Sequence, residues 1–284
     1  MKILVTGGAG FIGSHLIESL LEKRSSTIVS LDNYSTGKRE NHLSGVEYIH
    51  GETKDIDELI QFEPDLVFHL GEYSRVEQSF TDLDKVWESN SLGTYNVLKF
   101  CLKNTSKIVY AGSSTKFGDG GLGRSQTPYG WTKAANTELV KCFGDWFGLE
   151  YAITYFYNVF GGREIRVGDY ATLIGIFSEC RKIGKPLPVV MPGAQKRNFT
   201  HIDDIVSGLL KVGENGLGDD FGIGSDESYS ILNVAKLFGG EIEELPPRRG
   251  NRLSSDIDTS KTKALGWKCE RSLEEYINSL KQDF

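Results

Sequence analysis

Cysteine is scarce and scattered. Cys101, Cys142, Cys180 and Cys269 are the only four, and no two share a CxxC or zinc-ligand spacing. That argues against a disulfide framework and against a metal centre, and fits buried thiols in a reducing compartment. Basic charge is also short: 32 Lys and Arg stand against 39 Asp and Glu, a formal charge of −7. No positive field is present to attract nucleic acid or an anionic membrane, so an anionic substrate has to be held by local arginines. No apolar run approaches a membrane span, and the chain opens on a strand-like run rather than a charged leader with an apolar core. A soluble cytoplasmic protein is expected. Repeats and low-complexity linkers are missing too. The 284 residues are ample for a real core and suggest one large or two modest domains.

What is present begins with Thr6-Gly7-Gly8-Ala9-Gly10-Phe11-Ile12-Gly13-Ser14. It follows the apolar run Ile3-Leu4-Val5 and precedes Leu16, Ile17, Leu20 and Leu21, spaced as one helix face. The glycines therefore occupy a strand-to-helix turn. Gly7 takes a tight turn, Gly10 lets a pyrophosphate approach the backbone N–H groups, and Gly13 lets helix and strand pack closely. Gly7, Gly10, Phe11, Ile12 and Gly13 are the first cofactor candidates. Asp32 ends a second strand-like run about 20 residues past the turn, where a carboxylate hydrogen-bonds an adenosine ribose and repels a 2′-phosphate. NAD is favoured over NADP.

Strand-like and helix-like segments alternate through the first half, which predicts an α/β protein with a parallel, doubly wound sheet of Rossmann type. The polar loop after Asp32 adds Asn33, Ser35, Thr36 and Gly37 as residues to wrap the adenosine. Val46–His50 reads as a third strand, followed by Glu52, which either contacts adenine or is a solvated loop acid. Asp65–Leu70 is nearly continuous in apolar character, as a buried parallel strand should be. Leu70, Gly71 and Glu72 close it at the cofactor edge. A helix from about Leu83 to Leu102 places Asn90 on the face of Val86, Gly93, Thr94, Val97 and Cys101, either as a buried amide paired with backbone or as a cofactor-side residue that orders a water or loop. Lys107–Gly112 is a fifth strand, ending in the hydroxyls Ser113, Ser114 and Thr115. Thr127-Pro128 then caps a helix carrying Tyr129 and Lys133, four residues apart on one face. An ammonium near a phenol stabilises the phenolate, which can take a proton from a sugar hydroxyl while hydride leaves for nicotinamide.

In this order the glycine turn, Asp32, Asn90, Ser113 and Tyr129-x-x-x-Lys133 resemble the extended short-chain dehydrogenase/reductases, the NAD-dependent sugar-nucleotide epimerase/dehydratase family. The resemblance covers nearly the whole chain. The glycine turn and Asp32-Asn33-Tyr34-Ser35-Thr36-Gly37 are similar to nucleotide-sugar 4-epimerases, and Pro128-Tyr129-Gly130-Trp131-Thr132-Lys133 to the start of the family's catalytic helix. The resemblance implies that Ser113 polarises the substrate, Tyr129 is the base, and Lys133 both tunes Tyr129 and holds the nicotinamide ribose. It implies that Asn158, in Tyr157-Asn158-Val159-Phe160-Gly161, contacts the nucleotide-sugar. Arg197 and Arg248, in segments similar to the family's Arg…His-x-Asp-Asp and Arg-x-Gly-Asp motifs, go to the substrate diphosphate, a role that suits a guanidinium fork. His201 is expected to be a structural hydrogen-bonder.

Three departures shape the expected activity. No carboxylate follows Ser113; Ser114, Thr115 and Lys116 stand there, and 4,6-dehydration is disfavoured. The loop from Gly118 to Pro128 is short. Glu72 stands where the family usually has a small residue, so Glu72 and Arg75, with Ser114 and Thr115, are assigned to the sugar. These departures resemble the GDP-sugar (heptose-type) 4-dehydrogenases of bacterial capsule pathways. The expectation is NAD-dependent oxidation at C4 of a nucleotide-diphosphate sugar, a UDP- or GDP-sugar of surface polysaccharide synthesis, by a 4-epimerase or a net 4-dehydrogenase. A non-catalytic NAD-binding scaffold is the reading from another class. Residues 1–157, with a return at about 195–214, are expected to bind NAD; 158–194 and 215–284 form the smaller interleaved α/β unit for the sugar nucleotide. A homodimer through the helices starting near Leu83 and Pro128 is expected.

Overall fold

The computed structural model describes residues 1–23, 26–114, 117, 123–246 and 258–283. Seven parallel strands form the central sheet: β1 Lys2–Thr6, β2 Thr27–Asp32, β3 Val46–His50, β4 Leu66–His69, β5 Lys107–Ser113, β6 Tyr151–Phe156 and β7 Gly218–Ile223. Their order is β7-β6-β5-β4-β1-β2-β3. The central strands β1, β4 and β5 are buried along nearly their whole length, which explains their unbroken apolar sequence; edge strand β3 is only part-buried.

Alternate residues of each strand feed opposite faces. Ile3, Val5, Phe68 and Val109 pack with Leu16 and Ile17 of α1 (Phe11–Glu22). Leu4, Val67, Ile108 and Tyr110 pack with Val97 and Leu98 of α2 (Gly93–Asn104) and Val140 and Phe143 of α3 (Pro128–Phe147). Each fully buried aliphatic side chain contributes about 1.5–3 kcal/mol of transfer free energy. A third core joins α4 (Leu173–Lys182), α6 (Ile231–Phe238) and α7 (Leu273–Leu280) through Phe160, Ile174, Phe177, Val234, Phe238 and Ile277. Among the described residues no helix is long and apolar enough to cross a membrane.

Two boundaries differ from the sequence reading. The helix expected from Leu83 to Leu102 is interrupted by a π-helical turn, Trp87–Leu92, with Asn90 inside it, before α2 begins. The chain also returns to the sheet later than expected. Lys196–Asn198 pairs antiparallel with Ser228–Ser230 in the smaller unit, whereas α5 (Ile202–Asn215) and β7 belong to the large sheet. Phe221 and Ile223 of β7 carry that placement, buried with Ile205 and Leu209 of α5 in the core on the α1 face.

Candidate active site

β1 and β4 lie side by side at the middle of the sheet, where successive connections diverge to opposite edges and leave a crevice at the strand ends. The glycine turn opens into it. Gly7 has φ +73°, and a Cβ there would lie 2.9 Å from the Gly71 backbone. Gly13 is tighter: its Cβ would meet the Gly7 carbonyl oxygen at 2.1 Å. Gly10 is the N-cap of α1 and no side chain caps that end, so the N–H donors of the first turn are left to a ligand. Asp32 is locked behind the turn. Its carboxylate accepts from the N–H of Ala9 at 2.9 Å and of Tyr34 at 2.8 Å. Burial pushes Asp32 above the usual carboxylate range, opposed by the N–H groups of Tyr34, Ala9 and Gly10.

A cavity of about 690 Å³ runs from this turn to the smaller unit. Of the residues expected at the cofactor, Gly7, Gly10, Phe11, Ile12, Gly13, Asp32, Asn33, Ser35, Thr36, Leu70, Gly71, Tyr129 and Lys133 line it; of those expected at the sugar nucleotide, Glu72, Arg75, Ser113, Ser114, Asn158 and Arg197 do. Three cofactor assignments stand elsewhere. Glu52 lies in a small adjoining pocket and accepts from the Asn33 amide at 3.0 Å. Gly37 supports Asp32, because a Cβ there would come within 2.7 Å of its carboxylate. Asn90 is fully buried; its amide accepts from Tyr73 N–H at 2.7 Å and donates to the Tyr73 carbonyl and to Thr132, so it holds the loop after β4 rather than facing the cavity. Thr115 and Arg248 lie outside the described residues.

Tyr129 and Ser113 meet inside the cavity. The Thr127 hydroxyl accepts from Gly130 N–H and starts α3, which sets Tyr129 in the first turn; Ser113 is the last residue of β5. Tyr129 donates to Ser113 Oγ at 3.2 Å. Lys133, one turn on, points back towards the sheet and donates to the Ala111 carbonyl and to Glu72 Oε2. The Glu72 carboxylate, assigned to the sugar from sequence, lines the cavity but is engaged with buried protein groups. Its side chain is 4% exposed and paired with Lys133, at 6%. Its other oxygen accepts from Thr94 at 2.7 Å, Asn136 at 2.9 Å and Tyr110 at 3.2 Å. Burial alone would raise its pKa, but Lys133, His69 and the hydrogen bonds from Lys133 and Thr94 hold the carboxyl below its usual range. A buried carboxylate requires such partners, and they come from four different elements.

The network continues to the glycine turn. Thr94 donates to Glu72, so His69 Nε2, 3.0 Å from Thr94 Oγ1, is the protonated ring nitrogen. His69 Nδ1 then accepts from Thr6 Oγ1 at 2.7 Å, and Thr6 in turn accepts from Leu70 N–H and Gly71 N–H. Burial pulls the His69 pKa down to about 4, which keeps this relay neutral. Sequence reasoning passed over His69, Thr94, Tyr110 and Asn136 as site-supporting residues. One signal was available: Asn136 lies seven residues after Tyr129 and three after Lys133, on one helix face.

Arg75 brings a second, part-buried cation. It donates to the carbonyls of Ser74 and Tyr170, lies over the Tyr170 ring, and makes no ion pair among the described residues. Burial lowers its pKa, opposed by the phenols of Tyr129, Tyr170 and Tyr73. Asn158 donates to the Asn198 carbonyl at 2.8 Å, and Arg197 to the carbonyl of Lys196 at 2.8 Å. His201 caps α5, its Nδ1 accepting from Asp203 N–H at 3.2 Å.

The sequence model of the NAD dependent epimerase/dehydratase family matches residues 3–224. A putative UDP-glucose 4-epimerase of Methanocaldococcus jannaschii is 32% identical, over 97% of this chain and 95% of its own. The structure of UDP-glucose 4-epimerase from Thermotoga maritima with UDP-glucose superposes with a TM-score of 0.92 at 28% identity, covering 100% of this chain and 98% of that one. That of the Thermus thermophilus UDP-glucose 4-epimerase complex with NAD gives 0.89 at 27% identity, covering 100% and 99%. The residues here fit NAD: a cradle that a Cβ at Gly13 would fill, an uncapped helix end for the pyrophosphate, and a fixed carboxylate, Asp32, for a ribose hydroxyl. The chain belongs to the NAD dependent epimerase/dehydratase family, whose enzymes act on nucleotide sugars, and its cofactor is NAD.

Proposed function

We propose that this chain oxidises C4 of a nucleotide-diphosphate hexose and returns the hydride to the opposite face, as a sugar-nucleotide 4-epimerase. The observation that carries the reading is the Tyr129 hydroxyl 3.2 Å from Ser113 Oγ on the wall of the cavity, one helical turn from Lys133. Tyr129 takes the O4 proton as the C4–H bond breaks, and gives it back when the ketone is reduced. Ser113 donates to the oxygen as it becomes a carbonyl. NAD, when bound, accepts the hydride from C4 and supplies it again. Arg197 holds the diphosphate and Asn158 the nucleotide-sugar; Arg248 is assigned with Arg197 from sequence alone. The likeness to 4-epimerases along the whole chain supports this reading, as does the lack of a carboxylate directly after Ser113. We divide the roles between the sheet-centred unit for NAD and the smaller unit for the sugar nucleotide.

The test is to incubate purified protein with UDP- and GDP-hexoses, following the reduced-nicotinamide absorbance and the C4 configuration of the product. Inversion at C4 without net accumulation of reduced cofactor is expected. Accumulating reduced cofactor with a 4-keto sugar would replace the epimerase by a net dehydrogenase. Bound NAD with no response across the panel would leave a non-catalytic NAD-binding protein.

We also propose that a second copy of the chain covers the outer face of α2, α3 and the helical segment before α2. Leu83, Trp87, Tyr95, Trp131, Trp146 and Phe147 are all exposed there. Trp87 and Trp131 stack with ring centroids 5.5 Å apart. A patch this apolar on two neighbouring helices calls for a partner. Light scattering should return twice the 31.5 kDa chain mass, and Trp131→Glu a monomer. A monomeric wild type would overturn the assignment.

A further inference from the structure

Glu72, the buried partner of Lys133, is the feature the proposed chemistry leaves unused. A lone lysine one turn from Tyr129 would place a full positive charge at the reacting end of the cavity. In this chain that charge is paired, out of water, with a carboxylate that is itself held by Thr94, Asn136 and Tyr110. Two of the three Lys133 donors are committed, one to Glu72 and one to the Ala111 carbonyl, so the ammonium is fixed as well as neutralised. The carboxylate can only accept hydrogen bonds, and both of its oxygens already do so from protein donors.

The oxidised nicotinamide ring carries a positive charge that the reduced ring lacks. A neighbouring unpaired ammonium therefore disfavours the oxidised form, while a neutral ion pair does not. For hydride transfer the ring has to come within reach of Tyr129 and Ser113, and Glu72 and Lys133 line the same cavity. We infer that Glu72 is a positioning residue that sets the redox poise of the bound cofactor: by fixing and neutralising Lys133 it favours oxidised over reduced NAD. The consequence for turnover is that reduced cofactor is held less tightly than an unpaired lysine would hold it. This rests on NAD binding and not on the sugar chemistry proposed above, so the two fail separately.

The experiment measures the affinities of the nucleotide-free protein for NAD+ and NADH in wild type, Glu72→Gln and the double variant Glu72→Gln/Lys133→Met. Glu72→Gln is expected to move the affinity ratio towards NADH by about tenfold. That corresponds to about 30 mV upward in the potential of the bound two-electron couple. The double variant, neutral again, is expected to return the ratio to within about twofold of wild type. If Gln leaves the Lys133 ammonium too poorly solvated to fold, Glu72→Ala makes room for water at the same site, and the ratio should move in the same direction. A purely structural role would weaken both nucleotides together and leave the ratio unchanged. An unchanged ratio in the folded single variant overturns the inference, as does a double variant that keeps the shift.

Discussion

Tyr129→Phe should lower the turnover of the C4 reaction by about 10²–10⁴-fold, the usual worth of a positioned acid–base group. It should do so while NAD still binds. The hydroxyl makes one described hydrogen bond, to Ser113 Oγ at 3.2 Å, and its loss costs stability only about 0.5–1.5 kcal/mol. The glycine cradle and Asp32 are built by β1, α1 and β2 and do not depend on the Tyr129 hydroxyl. The kinetic signature should therefore be a fall in kcat with nucleotide affinity intact. The measurement is single-turnover reduction of the bound cofactor, with the sugar nucleotide that wild type converts. A rate within threefold of wild type would remove Tyr129 from the chemistry and, with it, the catalytic reading of the cavity.

Gly13→Ala should be the most damaging single methyl group in the nucleotide site. The added Cβ would lie 2.1 Å from the Gly7 carbonyl oxygen and 2.8 Å from Gly8 Cα, both backbone atoms. Neither can rotate away, because Gly7 is tied to β2 through its N–H to the Leu31 carbonyl, and its own carbonyl accepts from Gly10 N–H. Overpacking against immobile backbone costs about 3 kcal/mol, or roughly 5 °C in Tm for a chain of this size. NAD affinity should fall at least about tenfold, because α1 must withdraw from the turn whose N–H groups face the pyrophosphate. Gly148→Ala is the control. Gly148 caps α3 with φ +71° and nothing among the described residues lies within 4 Å of its Cβ position, so only backbone strain of about 1 kcal/mol applies. If Gly13→Ala were no worse than Gly148→Ala in Tm and in NAD affinity, the close approach of α1 to the turn would not be what holds the cofactor site.

Much of the site was legible because its residues announce themselves by local spacing. The glycine turn, the Asp32 that ends β2, the Thr127 cap and the Tyr129–Lys133 pair all lie within a few residues of the element end that positions them. Their geometry follows from how strands and helices end. Glu72 was legible as an odd residue at the cavity edge, but its buried partners were not. Its hydrogen-bond partners come from α2, from β5 and from α3, more than 20 residues away in each case. Nothing local indicates whether a carboxylate at a strand end turns outward to a ligand or inward to a lysine. Asn90 illustrates the same limit. Helical spacing put it on a packing face, but its task of holding Tyr73 depends on where the loop after β4 passes.

Sequence by itself determined the positions of the first five strands along the chain, the nucleotide-binding turn, the preference for NAD, and the pairing of a phenol with a lysine on one helix face. These are set by periods of two and 3.6 and by the chemistry of chain ends, which act over a few residues. Only the tertiary structure decided that β7 completes the sheet, that Asn90 and Gly37 support the site from behind, and that Lys133 is neutralised by Glu72. Those outcomes rest on burial, because a charge or amide removed from water must find a partner wherever the fold brings one.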